Sequence, residues 1–286
     1  MAKLGRYNIL RVVKAVDFGV YLDGGKDGEI LLPTRYVPEG CQPGDRLDVF
    51  VYLDSEDRII ATTETPLAQV GDFACLRVVS VNATGAFLDW GLLKDLLVPF
   101  REQKMTMQEG NSYIVYVYID QDTRRIVASA KIEKFLDTDE PDLEPGQLVD
   151  LIIYQQTEMG YKAIINNQYT GLLYGNEVFQ PLAIGERIIG YVKQVREDAK
   201  IDLVLHKPGF EKVEDMAGNI LARLQKEGGF MAVTDKSPAE LIYDIFGISK
   251  KNYKKAVGDL YKRRLIAIEE TGIRLINPLQ QPHKYR

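Results

Sequence analysis

Along the first two hundred or so residues, apolar and polar side chains alternate in short runs of period two, broken by Gly, Asp and Pro. In Asp45–Asp54, DRLDVFVYLD, the residues Leu47, Val49, Val51 and Leu53 fall on one side, and Phe50 and Tyr52 on the other. Such alternation marks β-strands, and the interrupting residues mark turns. The first repeat accommodates five strands, near 5–15, 18–23, 28–32, 46–53 and 58–63. Five short strands with a glycine bend between the first two predict a small closed barrel of the OB type.

The pattern recurs. At an offset of 66, Gly5 matches Gly71, Gly19 matches Gly85, Gly44 matches Gly110, Asp54 matches Asp120, Arg58 matches Arg124, and Ile60 matches Ile126. A third copy follows at a further offset of 75, with Gly146, Gly160, Gly185 and Ile201 in the same frame. It has diverged: Pro99 becomes Tyr174, and Val195 and Ala199 stand where Asp and Arg are expected. The extra residues lie in an acidic, Pro-containing joint with a short helical start. Repeats of this kind predict a barrel over 1–66, a second over 67–132, a linker over 133–145 and a third barrel over 146–206.

From 207 to 286 the spacing turns helical. Val213, Met216, Ala217, Ile220, Leu221 and Leu224 form one apolar stripe. Ser237-Pro238-Ala239-Glu240 reads as a capping box opening a helix through Phe246, and Gly247 makes the turn. Ser249 caps a third helix with Tyr253, Ala256, Val257, Leu260 and Tyr261 on its inner face. Leu265–Ile268 and Ile273–Ile276 then read as a two-stranded ribbon. Three helices and a ribbon predict a winged helix, a variant of helix-turn-helix. The fold class is therefore mainly β with a C-terminal α+β module: three tandem five-stranded OB barrels, then a winged helix.

Charge separates the modules. The whole chain is acidic, at −5. Residues 1–68 carry eight cations against eleven acids, 69–145 eight against thirteen, 146–205 five against seven, and 206–286 fifteen against ten. The net charges are thus −3, −5, −2 and +5, and positive charge gathers on the last module. Within 249–265 seven cations face one acid, Asp259. Two His (His206, His283) and two Cys (Cys41, Cys75) leave little room for a zinc site, a His-based catalytic pair or a disulfide framework. There is no P-loop pattern, and the carboxylates are scattered through turns rather than clustered for two metal ions. The expectation is no catalysis, no metal and no cofactor. The segment MAKLGRYNIL lacks the apolar core of a signal peptide, and no run approaches a bilayer span. With so few cysteines, this predicts a cytoplasmic protein with no membrane partner.

The frame Gly5, Val12-Val13-Lys14-Ala15-Val16-Asp17-Phe18-Gly19-Val20-Tyr21-Leu22, Lys26-Asp27-Gly28, Gly44-Asp45 and Asp54-x-x-x-Arg58-Ile59-Ile60 resembles the S1-type RNA-binding domain of ribosomal protein S1. It departs from that pattern in the third strand, where the usual His-x-Ser is replaced by Leu31-Leu32-Pro33, Leu97-Val98-Pro99 and Leu172-Leu173-Tyr174. Three such barrels plus a winged helix resemble, over essentially the whole chain, the conserved virulence factor B family of bacterial RNA-binding regulators. The resemblance implies RNA binding with an effect on gene expression.

Single strands are held by bases stacked on aromatic rings, with cations along the phosphates. Phe18 and Tyr21 occupy positions that resemble the family's stacking pair; in the second copy Phe87 remains, with Thr84 at the other place. Val20 and Leu22 point inward, so Tyr21 is expected to point out. Asp54 with Arg58, and Asp120 with Arg124, either orient a cation beside the aromatic face or are hairpin charges at a turn. In the third copy Lys162, Lys193, Arg196 and Lys200, with Tyr191, suit phosphate contact. The row Phe50-x-Tyr52, Tyr116-x-Tyr118 and Tyr191-x-Lys193, repeated in three copies, reads as scaffold packing. On the third helix Lys250, Lys251, Lys254, Lys255, Lys262 and Arg263 form a basic outer face. Its Lys-rich character predicts backbone contact with low sequence specificity. The expected partner is single-stranded RNA, held by a string of weak tethered sites dominated by the third barrel and the winged helix. The acidic first two barrels are candidates for protein contact. Two rival readings stand beside this one: a duplex-DNA transcription regulator acting through the winged helix, and a ribosome- or polymerase-associated scaffold.

Overall fold

A computed structural model describes residues 1–175, 177–178, 181–205 and 213–276. The candidate bases His206 and His283, and residues 207–212 at the start of the last module, lie outside the described residues. The first barrel comprises β1 (Arg6–Val16), β2 (Gly19–Asp23), β3 (Glu29–Pro33), β4 (Arg46–Leu53) and β5 (Ile59–Thr62). The second comprises β6 (Phe73–Asn82), β7 (Gly85–Asp89), β8 (Leu96–Pro99), β9 (Ser112–Ile119) and β10 (Ile126–Ser129). The third comprises β11 (Leu148–Thr157), β12 (Gly160–Ile165), β13 (Tyr169–Tyr174), β14 (Arg187–Val195) and β15 (Ile201–Val204). Each closes in the same order, first-second-third-fifth-fourth, with third and fifth strands parallel. Closure leaves no bare strand edge.

Two local devices recur in all three copies. The long first strand shifts register once, between Val12 and Lys14, Val78 and Ser80, and Ile153 and Gln155. Such bulges bend one strand so that it serves two sides of a barrel. The second strand opens on Gly19, Gly85 or Gly160, at φ 151°, 155° and 139°. A Cβ there would lie 2.1–2.2 Å from the carbonyl oxygen of Leu32, Val98 or Leu173. Only glycine fits so close a strand crossing, which is why these glycines hold the repeat frame.

That frame slips at one place. In the first barrel the hairpin between the fourth and fifth strands is closed by Asp54 and Arg58; in the second it is closed by Asp120 and Arg125. Tyr52 pairs with Ile60, but Tyr118 pairs with Val127. The second copy therefore has one extra hairpin residue, and the backbone equivalent of Arg58 is Arg125 rather than Arg124. In the third copy a bulge between Val192 and Gln194 shifts the register as well. Arg196 and Lys200 close that hairpin and stand where Asp54 and Arg58 stand in the first.

The barrels are packed together rather than strung out. One buried cluster joins Phe50 and Tyr52 of the first barrel to Leu76, Trp90, Val117 and others of the second. Phe50 and Trp90 meet edge to face at 5.8 Å. Both faces of β4 are consequently buried, as the scaffold reading of Phe50 and Tyr52 requires. A second cluster joins Phe73 and Ile114 to Ile152 and Ile164 of the third barrel. The joint after β10 takes part: Ile132 and Leu136 are buried there, and Phe135 stacks on Tyr116 at 4.1 Å.

The last module has α1 (Val213–Lys226), β16 (Phe230–Met231), α2 (Ala239–Phe246), α3 (Lys250–Lys262), β17 (Ile266–Ile268) and β18 (Ile273–Leu275). The ribbon gains a third strand, in the order β16-β18-β17. Met216, Ala217, Ile220 and Leu224 of α1 pack on Tyr253, Ala256, Val257 and Leu260 of α3. Ser249 caps α3 by accepting the Asn252 N–H at 3.2 Å. The capping box at Ser237 does not form. Pro238 is the N-cap of α2, and Ser237 Oγ instead accepts the Thr234 N–H at 2.9 Å, tying the preceding turn. Among the described residues no helix is long and apolar enough to cross a membrane.

Candidate nucleic-acid interface

In the first barrel the residue pair singled out by sequence is on the surface. Phe18 is 57% exposed in the turn before β2, and Tyr21 is half-buried on β2. Their rings meet edge to face at 6.2 Å. The β1–β2 hairpin register sets Lys14 opposite Tyr21, on the turn side of the bulge, with Nζ 4.8 Å from the ring centroid and 2.5 Å from Glu29 Oε2. Lys14 escaped the sequence reading, although counting back from Gly19 across the hairpin would have found it. Arg58 pairs with Asp54 at 2.8 Å beside this barrel's last hairpin, as expected. Burial alone would raise the Asp54 carboxyl; hydrogen bonds from the Arg58 backbone and side chain outweigh it and hold the group below its ordinary value.

In the second barrel Phe87 is half-buried, registered against Leu97 on β8. It lines a pocket of about 220 Å³ with Trp90, Lys94 and Val127, walled on one side by Leu53 and Asp57 from the first barrel. Lys94 Nζ donates to the Asp54 carbonyl at 2.5 Å and pairs with Asp57 at 3.2 Å; Arg125 also binds Asp57. The expected Asp120–Arg124 pair is absent. Asp120 is bound by Arg101 Nη2 at 2.6 Å and by the Thr123 N–H and hydroxyl, and these hydrogen bonds, the Thr123 backbone's first, lower its pKa. Arg124 occupies the left-handed turn position, at φ 59°, and is exposed. The cause is the extra hairpin residue described above.

In the third barrel the cations meet acids. Lys193 pairs with Glu177 at 2.6 Å, Lys200 with Asp198 at 2.6 Å, and Arg196 with the buried Asp202 at 2.8 Å. Asp202 stands where the other barrels place Ile60 and Val127, on the face shared with Lys162 and Leu172. Burial would raise its pKa, but hydrogen bonds from Arg196, Gln194 and Tyr174 more than offset this and lower it. Tyr174, which sequence reasoning noted only as a lost proline, is the hub: its hydroxyl bonds Asp202 and Arg196, and Lys193 lies 5.9 Å from its ring. Lys162 is half-buried and faces Glu133, a carboxyl that burial would raise but that Lys104's hydrogen bond, aided by the Lys162 charge, lowers. Tyr191 is half-buried on β14, paired with Leu148 and Val204.

On α3 the cations form two adjoining stripes opposite the core. Lys251, Lys255 and Lys262 are exposed and have no ion pair among the described residues. Lys254 lies 3.5 Å from Asp235, Lys250 donates to the Lys236 carbonyl at 3.3 Å, and Arg263 pairs with Asp259 at 3.2 Å. Tyr261, expected inside, is 56% exposed. The inner stripe runs 253, 256, 257 and 260, and at about 100° per residue position 261 turns out to join Lys250 and Lys254. The β17–β18 ribbon ends in Glu269 and Glu270, and its Arg274 is bound to Glu269 at 2.6 Å.

An S1 domain model matches residues 4–64 and 70–131, and a CvfB-like winged helix domain model matches 218–275; the third barrel lies between these stretches. YitL of Bacillus subtilis (strain 168), an uncharacterized protein, is 28% identical over 267 residues, covering 90% of this chain and 89% of that protein. Conserved virulence factor B of Staphylococcus saprophyticus is 25% identical over 285 residues, covering 95% and 94%. A crystal structure of a multidomain protein with nucleic acid binding domains from Streptococcus pneumoniae TIGR4 is 25% identical and covers 96% of this chain and 98% of its own, at a TM-score of 0.42.

Proposed function

We propose that this chain, which belongs to the family of S1 and CvfB-like winged-helix proteins that includes conserved virulence factor B, binds single-stranded RNA and thereby regulates gene expression in the bacterial cytoplasm, without catalysis. The observation that carries the reading is the exposed Phe18–Tyr21 pair with Lys14 beside it, on the face of an S1 domain. Two rings at a surface suit unstacked bases, with Lys14, paired to Glu29, beside the Tyr21 ring. Phe87 supplies a second stacking ring, and Lys251, Lys255 and Lys262 supply positive charge that has no ion pair among the described residues. Arg58, Arg124 and the third-barrel set Lys162, Tyr191, Lys193, Arg196 and Lys200 are secondary contacts in this reading, since most of those cations already have carboxylate partners. Duplex DNA is disfavoured by the carboxylates at the ribbon tip beside α3.

The test is a binding assay with labelled single-stranded RNA and duplex DNA across a salt series. A stacked base contributes roughly 1–3 kcal/mol by alanine substitution. Replacing both Phe18 and Tyr21 by Ala should therefore weaken single-strand binding by about tenfold or more. Tighter binding of duplex DNA than of single-stranded RNA would overturn the reading in favour of a transcription regulator.

A further inference from the structure

Where the first two barrels meet, a cleft of about 1010 Å³ is lined by Leu53, Ile59, Val70 and Ile119, and by a set of charges out of keeping with its acidic surroundings. Four cations, Lys3, Arg6, Arg124 and Arg125, line it against two carboxylates, Asp27 and Asp57. Both carboxylates are engaged. Asp27 Oδ2 accepts the Ala2 N–H at 2.9 Å, and Asp57 is held by Lys94 and Arg125. Arg6 and Arg124 have no ion pair and no side-chain hydrogen bond among the described residues.

One of these two arginines is accommodated at a cost. Arg124 holds a left-handed backbone, φ 59°, which disfavours any residue with a Cβ. Arg6 reaches across the barrel boundary to Gly71, where a Cβ would lie 2.4 Å from its guanidinium. The Phe87 pocket lies next door and shares Leu53, Asp57 and Arg125 with the cleft. A stacking ring and two guanidiniums without partners thus border a common wall.

We propose that this inter-barrel cleft is a phosphate-backbone subsite for an RNA strand whose neighbouring base stacks on Phe87, with Arg6 and Arg124 as the phosphate-holding residues. The proposal rests on the RNA-binding reading above and adds a strand path across the junction. A guanidinium presents paired N–H donors that match phosphate oxygens. Apolar walls lower the local dielectric and strengthen that contact relative to an open surface. They also offer the ribose a dry surface between one phosphate and the next. Neither arginine gives up a carboxylate on binding, unlike the paired cations of the third barrel.

The experiment measures binding of a short polyuridine strand by the full chain across a salt series. It compares the unmodified protein with an Arg6→Gln, Arg124→Gly double variant. Glycine suits the left-handed position, so the variant should melt no lower than about the parent temperature. Two lost phosphate contacts on a single strand should reduce the salt slope by about 1.4. A charge-matched control, Arg46→Gln with Arg77→Gln, alters exposed cations outside the cleft and should leave the slope unchanged. Phe87→Ala should weaken binding by a smaller factor in the double variant than in the parent, because the two sites hold one strand. If the double variant keeps the parent affinity and slope, or if the control lowers the slope equally, the subsite is overturned while RNA binding stands. If the unmodified chain binds no RNA, both readings fall.

Discussion

Asp202 puts a carboxylate where the other two barrels present Ile60 and Val127 to the same face. A buried acid is tolerated only with donors around it, and Arg196, Gln194 and Tyr174 supply them. The folded carboxyl therefore titrates below the unfolded value of about 3.9, despite the burial that pushes it upward. The sign follows. A lowered carboxyl pKa contributes stability above about pH 4, and that contribution is lost as pH falls through the folded value. Asp202→Ala should cost about 1–2 kcal/mol at neutral pH, the loss of charge-assisted hydrogen bonds whose donors remain partly in contact with water. Melting temperatures of parent and variant should converge on acidification below about pH 4; a gap that stays constant would show that the charge is not the stabilising feature. The four third-barrel cations were visible in the sequence, but their partners were not. A one-residue bulge near Lys193 decides which residue closes the hairpin, and a constant repeat offset cannot register it. The same limit explains Arg124. The alignment pairs it with Arg58, whereas one extra turn residue puts Arg125 at the matching backbone position, with its side chain on Asp57 instead of Asp120, and leaves Arg124 lining the cleft.

At the level of elements, α3 combines a cap, an apolar inner stripe and a cationic outer surface. Its inner stripe and its Ser249 cap were readable because both depend on local spacing alone. Ser249→Ala should destabilise the winged helix by about 1 kcal/mol, seen as a lower urea midpoint for loss of helical signal. The outer surface makes a separate prediction. Among the described residues Lys251 and Lys255 have no carboxylate to leave, so each phosphate they meet releases counterions in full. Changing both to Gln should reduce the RNA salt slope by about 1.4 with little change in melting temperature. The same change at Lys193 and Lys200 should move the slope less, because Glu177 and Asp198 already neutralise them. Equal effects at the two sites would mean that the ion pairs open freely in solution. Tyr261 and Ser237 were misplaced for different reasons: at about 100° per residue position 261 leaves the inner stripe, whereas Ser237 sits before a helix, where its hydroxyl ties the preceding turn instead of capping.

Across the whole molecule, the packing of the barrels changes how affinity is built. Tethered independent sites gain from effective concentration set by linker length, but barrels sharing buried clusters hold their faces at fixed spacing instead. The sequence displayed three barrels because glycines and alternation are local signals. Their docking rests on the outward faces of strands, such as Phe50 and Tyr52 on β4, where alternation says only that two faces differ. The packing can be tested through Trp90, the chain's one tryptophan, which sits against Phe50 at the first joint. Phe50→Ala removes a fully buried ring of the first barrel, at a cost of about 3–5 kcal/mol. If the first two barrels unfold as one unit, the Trp90 fluorescence transition, which reports from the second barrel, should move to lower denaturant by the full amount and coincide with the loss of β signal. Independent barrels would instead leave most of the tryptophan transition in place, because the second barrel's remaining core around Leu76, Leu88 and Val117 is untouched by the substitution. A joint transition would in turn fix the distance between the Phe18–Tyr21 face and the Phe87 pocket. RNA would then be measured against a rigid spacing, and inserting residues between β5 and β6 should weaken binding by disturbing the shared cluster rather than by lengthening a tether.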